Sequence, residues 1–235
     1  MVIYEGPSMI DGATIVAIAT GIESPSRNRK TGPVVQVWIL RQDVSPVDAV
    51  KTGDDSSVCG TCIHRHHTGG ACYVIPGHAP QATWRAYRAG RYARATPAEV
   101  ARVLAGRVVR LGAYGDPGAL PGAVIDPISA TAAEVLAYSH HWRARPDLAS
   151  VAMASVDSVA ERIEAKAKGW RTFRVTEFGK GQGESICPSA DESKTRRPIT
   201  CLECRACNGN SRGFSGDIVI QVHGAFVKRF QESRV

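Results

Sequence analysis

Four of the seven cysteines in this 235-residue chain fall within one stretch, CPSADESKTRRPITCLECRAC, from Cys187 to Cys207. Cys201, Cys204 and Cys207 are spaced C-x-x-C-x-x-C, and Cys187 stands across a charged loop. Two-residue gaps let neighbouring thiolates turn inward on one metal centre, and a remote fourth cysteine closes the coordination. Zinc usually takes its cysteines as separate C-x-x-C pairs. Three in one continuous run fit cubane iron–sulfur ligation better. The expected cofactor is therefore a [4Fe–4S] iron–sulfur cluster, with Zn²⁺ as the alternative and buried thiols or disulfides as the bland reading.

A second group lies in VCGTCIHRHHTGGACYV, where Cys59, Cys62 and Cys72 are spaced C-x2-C-x9-C around His64, His66 and His67. Three cysteines and one histidine satisfy a tetrahedral zinc site. Three cysteines alone suit a cluster with one iron open to substrate, and a centre shared with the C-terminal group is a third arrangement. Histidines that are plain loop residues are the alternative for each imidazole.

The elements that must position these groups read as α/β. Ala13–Thr20 and Val34–Leu40 have the β-branched and apolar content of strands, and Ser45-Pro46 opens a helix. APQATWRAYRAGRY has helical spacing, with Trp84 and Tyr87 on one face and Arg85, Arg88, Arg91 and Arg94 beside them. Thr96-Pro97-Ala98-Glu99 is a capping box for a helix running to Leu104. RVVRLGAY, EVLAYSHHW, SVAMAS and RTFRVT then read as strands, each followed by polar or ionisable residues, with Asp157 suited to the N-cap of VAERIEAKAKG. Short apolar runs alternating with helices are the pattern of parallel β/α units, whose ligands sit at the carboxyl ends of the strands. Asp116, His140, Ser155, Asp157 and Glu177 are expected on that face, with Asp116, His140 and Glu177 as the catalytic candidates. The glycines of GKGQGES read as a connector or a phosphate approach, and Asp217–Val222 as a last strand before His223 and Gly224. The fold expected is a partial or distorted β/α barrel with a cysteine-rich metal-binding region, formed as one domain. Its parts are the N-terminal strands and cysteine loop (1–78), the β/α units (79–180) and the C-terminal cysteines with the final strand (181–235).

With 29 Lys and Arg against 22 Asp and Glu, the chain carries a net charge of +7, which favours a polyanion such as DNA or RNA. The basic residues are scattered; the densest groups are Arg27, Arg29 and Lys30, and Lys194, Arg196 and Arg197. No apolar stretch approaches the roughly 20 residues a membrane span needs. The N-terminus lacks a basic segment followed by an apolar one, so a secretory signal is not expected. Clustered cysteines without a leader point to the cytoplasm and to metal ligation.

The motifs KTG before a strand, CGTC, CYV, AYGD, AYSHHW, MASVD and CLECRAC, in that order, resemble a family of uncharacterised cysteine-rich tailed-bacteriophage proteins of the gene-product-eighty-eight type. The similarity runs from about Lys30 to Gly224 and implies a cytoplasmic protein of the host cell, without implying a reaction. A looser similarity connects the chain to radical S-adenosylmethionine β/α barrels. Those carry C-x3-C-x2-C where this chain has C-x2-C-x9-C. Three functions follow from these readings. They are an iron–sulfur enzyme acting on an unidentified small molecule, a metal-stapled nucleic-acid-binding module, and a structural zinc protein.

Overall fold

The structure, a computed structural model, describes residues 1–190, 199–210, 216–222 and 226–232. The basic group Lys194, Arg196 and Arg197 and the pair His223 and Gly224 lie outside the described residues. Among the described residues the strands form two five-stranded sheets in a mixed α/β arrangement.

The first sheet starts antiparallel and turns parallel. Strand β1 (Val2–Pro7) pairs with β2 (Thr14–Thr20), and β2 with β3 (Val35–Arg41), both antiparallel. Strands β4 (Val108–Tyr114) and β5 (Glu134–Leu136) then add in parallel. The second sheet is parallel throughout, in the order β6 (Tyr138–Ser139), β7 (Met153–Val156), β8 (Thr172–Thr176), β10 (Asp217–Gln221) and β9 (Glu184–Ile186). All four residues of β7 are buried, which explains why its sequence lacks polar alternation.

EVLAYSHHW is not one strand. The extended chain pairs with β4 through Leu136, changes sheets at Ala137, and pairs with β7 from Tyr138. This is the join between the two sheets, and no barrel closes among the described residues. Beyond the join, β4 and β6 diverge. β4 bulges there: Val37 faces Leu111 but Trp38 faces Tyr114, and Gly112 takes a φ of 84°. A Cβ on Gly112 would stand 2.7 Å from the Gly115 carbonyl oxygen, so the bulge requires glycine.

Helices α1 (Pro46–Thr52), α2 (Ser56–Cys59), α3 (Ala79–Arg88), α4 (Pro97–Leu104), α5 (Gly122–Thr131) and α6 (Val159–Ala167) fill the connections. Ser45 caps α1, and Thr96 with Glu99 forms the expected capping box of α4. The aromatic face of α3 lies inward, with Trp84 donating to the Arg41 carbonyl at 3.1 Å and Tyr87 bonding Glu5 at 2.5 Å. Arg94 is paired with Glu5, while Arg85 and Arg91 face solvent.

The parallel sheet is pinned by buried charge. Asp217, with no exposed side-chain surface, accepts from Arg162 at 2.7 Å and from the Thr172 backbone N–H at 3.0 Å, and Lys166 lies at 3.3 Å. Glu184 pairs with Arg174 at 2.6 Å and accepts from the Gly181 N–H at 2.7 Å. The glycines of GKGQGES thus lead into β9 and fold back on its buried carboxylate. Asp217→Ala, which strands Arg162 and an amide beside a dry strand, is expected to lower stability by about 3–5 kcal/mol, read from the midpoint of urea denaturation.

Candidate metal centre

The C-terminal cysteines are carried by a single turn of helix, α7 (Cys201–Cys204), closed by a capping box between Thr200 and Glu203. This turn is docked on the KTG segment: Cys201 and Leu202 donate their N–H groups to the Lys30 and Thr31 carbonyls at 3.0 and 3.1 Å. Arg205 then takes a left-handed conformation (φ 55°), and its N–H returns to the Cys201 carbonyl at 3.0 Å. The reversal brings Cys207 back beneath the turn. Cys201 packs with Val34, Val108 and Leu136 of the first sheet, whereas Cys187, Cys204 and Cys207 pack with Met153, Phe173 and Ile218 of the second. Burial pushes the Cys207 thiol far up, and Cys187, Cys201 and Cys204 push it further.

The N-terminal cysteines sit on a loop staked by Arg65, which donates to the Gly60 and Gly53 carbonyls at 3.1 and 2.8 Å and to Asp55 at 2.5 Å. Cys72 is returned to the start of the loop by its N–H bond to the His64 carbonyl at 2.8 Å. Burial raises the Cys59 thiol, followed by Cys72 and Cys62, and burial lifts Cys72 to about 11. At neutral pH such thiols stay protonated unless a cation lies among them.

Both groups border one cavity of about 300 Å³. Cys59, Cys62 and Cys72 form one wall and Cys187, Cys201 and Cys207 another, between the diverging β4 and β6. Arg110 of β4 stands between them, donating to the Tyr138 hydroxyl at 3.2 Å. The Tyr138 oxygen, and then the Cys201 and Cys207 sulfurs, hold its guanidinium charged against the cost of burial.

The residues expected at the strand ends do not all reach the cavity. Asp116, His140 and Ser155 border the cavity, and Glu177 does not. The Asp116 carboxylate is committed to structure, accepting from Ser139 Oγ at 2.5 Å and from the backbone N–H groups of His140 and Gly118, each at 2.7 Å. It bridges the gap between β4 and β6 and sets the position of His140. Glu177 is half-buried, and its Oε1 has no hydrogen-bond partner among the described residues. Asp157 does not cap α6. Ser158 does, accepting from the Glu161 N–H at 3.1 Å. The freed Asp157 carboxylate meets His64 Nε2 at 2.8 Å and His140 Nε2 at 3.4 Å. His66 and His67 instead bond the Val74 and Val50 carbonyls, each at 2.9 Å.

Burial lowers the His140 imidazole, but Cys62 and Asp157 outweigh it and hold the ring well above its ordinary value. Burial likewise acts upward on Asp157, and the two histidines overcome it, leaving the carboxyl strongly depressed. Next to this group, the His141 ring lies against Gly60 (φ 59°), where an added Cβ would fall 1.7 Å from Nε2. That contact accounts for the glycine inside CGTC.

The protein-family models, curated proteins and solved structures compared with the chain give no match. No helix among the described residues is long and apolar enough to cross a membrane. Fold and site together define a mixed α/β protein whose two cysteine groups face one buried cavity.

Two substitutions probe this architecture. Asp116→Asn places an amide N–H₂ against donors that need an acceptor, and is expected to cost about 1–3 kcal/mol in a denaturant titration, whereas a purely chemical role predicts unchanged stability. Gly60→Ala is expected to destabilise by more than about 1 kcal/mol, through both its left-handed φ and the His141 contact, visible as a lowered thermal midpoint.

Proposed function

We propose that this chain is a metalloenzyme that carries a [4Fe–4S] cluster on Cys187, Cys201, Cys204 and Cys207 and acts on a small molecule in the adjoining cavity. The carrying observation is that two cysteine groups far apart in sequence line the same 300 Å³ space, with a buried guanidinium between them. Such a cluster supplies electron transfer, and its net negative charge fits a site lined by Arg110 and Lys30.

The cavity has the make-up of a small-molecule site, mostly apolar with a few polar groups able to fix orientation. Arg110, the Tyr138 hydroxyl and Ser155 are those groups, and Phe173, Val175 and Ile220 supply apolar surface. Cys59, Cys62 and Cys72 bring three further donors to the facing wall. The nucleic-acid reading draws less support, because Arg94 is engaged with Glu5 and Arg143 with Glu161 and Glu164. The resemblance to cysteine-rich bacteriophage proteins adds a proposed setting, the cytoplasm of an infected cell, and no reaction.

The test is metal and sulfide analysis with an absorption spectrum on protein purified without oxygen. About four irons and four sulfides per chain with broad visible absorption are expected, and Cys204→Ala should lose both. Twice that content would put a second cluster on Cys59, Cys62 and Cys72. A colourless protein with stoichiometric zinc at the C-terminal cysteines would overturn the proposal.

A further inference from the structure

We infer that His64, His140 and Asp157, with the Cys62 sulfur, form a separate site for one divalent transition-metal ion of the zinc type. The inference is independent of the cluster on the C-terminal cysteines.

The donors come from three parts of the chain that the fold brings to one point. His64 lies on the cysteine–histidine loop, His140 follows β6 and Asp157 follows β7. The His64, His140 and Asp157 ligand atoms lie within 4.8 Å of one another. The decisive detail is which atoms face each other. His140 presents the same nitrogen, Nε2, to Cys62 Sγ at 3.7 Å and to Asp157 Oδ2 at 3.4 Å. A nucleophile–base–orienter relay needs opposite ring nitrogens, one for the sulfur and one for the carboxylate. One nitrogen facing both a sulfur and a carboxylate oxygen is instead the arrangement of donors around a common centre. Bonds of about 2.0–2.1 Å to nitrogen and oxygen and about 2.3 Å to sulfur give tetrahedral edges of about 3.4 Å for N···O and about 3.6 Å for N···S. The His140 distances of 3.4 and 3.7 Å match these edges, while the other carboxylate oxygen, Asp157 Oδ1, meets His64 Nε2 at 2.8 Å as a direct hydrogen bond that an ion would replace.

The surroundings hold the donors in place. The His64 ring is stacked on buried Phe230 at 5.5 Å between centroids. The His140 backbone is fixed by Asp116 at 2.7 Å, and the Asp157 N–H donates to Glu161 at 2.7 Å. Two imidazoles, a carboxylate and one thiolate make a borderline donor set, suited to Zn²⁺ and Co²⁺ and poorly to Mg²⁺ or Ca²⁺. The three clustered donors would hold the ion, and Cys62, 3.7 Å from His140 Nε2, is the adjacent fourth donor. The ion would therefore staple the cysteine–histidine loop to the carboxyl ends of β6 and β7, and so fix the wall of the cavity that carries Cys59 and Cys72.

The experiment is titration with Co²⁺ of the full chain, purified anaerobically and dialysed against a chelator, with iron and sulfide measured on the same sample. The expected result is one equivalent bound, with the intense visible bands of tetrahedral Co²⁺ and a near-ultraviolet thiolate charge-transfer band. Asp157→Asn and His64→Ala should each weaken binding by at least about a hundredfold, Cys62→Ser should abolish the charge-transfer band, and Cys204→Ala should lose the cluster absorption but keep the cobalt bands in the difference spectrum taken on adding Co²⁺. Binding that survives Asp157→Asn but vanishes in Cys204→Ala would overturn the inference, as would wild-type protein that shows no tetrahedral bands. X-ray absorption at the cobalt edge of the wild-type protein decides the question even if a variant fails to fold. A shell of two imidazoles, one oxygen and one sulfur supports the site, and a shell of sulfurs alone refutes it. Failure of the cluster reading would appear separately, as missing iron and sulfide.

Discussion

Ala137 ties together the three parts of the molecule on which the cavity depends. Its N–H donates to the Cys207 carbonyl at 2.9 Å, and its own carbonyl accepts from Met153 at the same distance. One residue earlier the chain belongs to the first sheet and one residue later to the second. A parallel sheet that divides in this way must open a crevice at the carboxyl ends of its strands, where side chains meet without a ladder to fill the space. The bulge at Gly112 widens the crevice on one side, and Asp116 limits it by reaching across to Ser139 and His140. The C-terminal cysteine turn is then placed by backbone bonds, to Lys30 and Thr31 at one end and Ala137 at the other.

This placement sets the electrostatics. Sulfurs from both ends of the chain are gathered in a largely apolar space, where ionising any one of them is opposed by burial and by the others. Arg110 offsets part of that cost, since Cys72 and Cys207 both feel its charge. One guanidinium cannot stabilise a whole set of thiolates. On the proposed reading a bound cation would resolve the conflict, because it would make deprotonation favourable and turn a costly cluster of thiols into a folding contribution. The same logic explains the buried counter-charges of the parallel sheet. Asp217 and Glu184 are satisfied by Arg162 and Arg174, leaving Arg110 to serve the cavity.

Much of the framework was legible because it is local. The apolar runs of β2, β3, β4, β7 and β8 declare themselves, as do the capping box of α4 and the cysteine spacings, whereas the second capping box, Thr200 with Glu203, was not read from the sequence. What escaped was decided at long range. β1 (VIYEGP) has a polar, glycine-containing sequence and becomes a strand by pairing with β2. Helix α5 opens on Gly122 and contains Pro127, so its propensity is poor, and the burial of Ile125 and Ile128 stabilises it. The run EVLAYSHHW has uniform strand character, and nothing in its composition marks the change of partner at Ala137. The cysteines were visible as two spaced groups, but their lining one cavity with Arg110 depends on the topology of both sheets. His64 and Asp157, 93 residues apart, share no local signal at all.

The start of α6 shows how one residue connects local helix chemistry to the site. Both Asp157 and Ser158 are good N-cap residues, and the sequence alone favours neither. In the fold Ser158 takes the role, with Glu161 answering at the third helical position by accepting from the Asp157 N–H. Had Asp157 capped the helix, its carboxylate would have been turned onto the first-turn amides and lost to the histidines. The displacement by one position therefore satisfies the helix with a hydroxyl and reserves the charge for His64 and His140. A carboxylate held this far inside the protein needs cationic partners to remain ionised, and the two imidazoles act in that sense. Neutral imidazoles bound to a metal would leave the same requirement to the ion. The choice of cap thus decides whether the Asp157 carboxylate is free for the two histidines, and that choice is made on the first turn of α6.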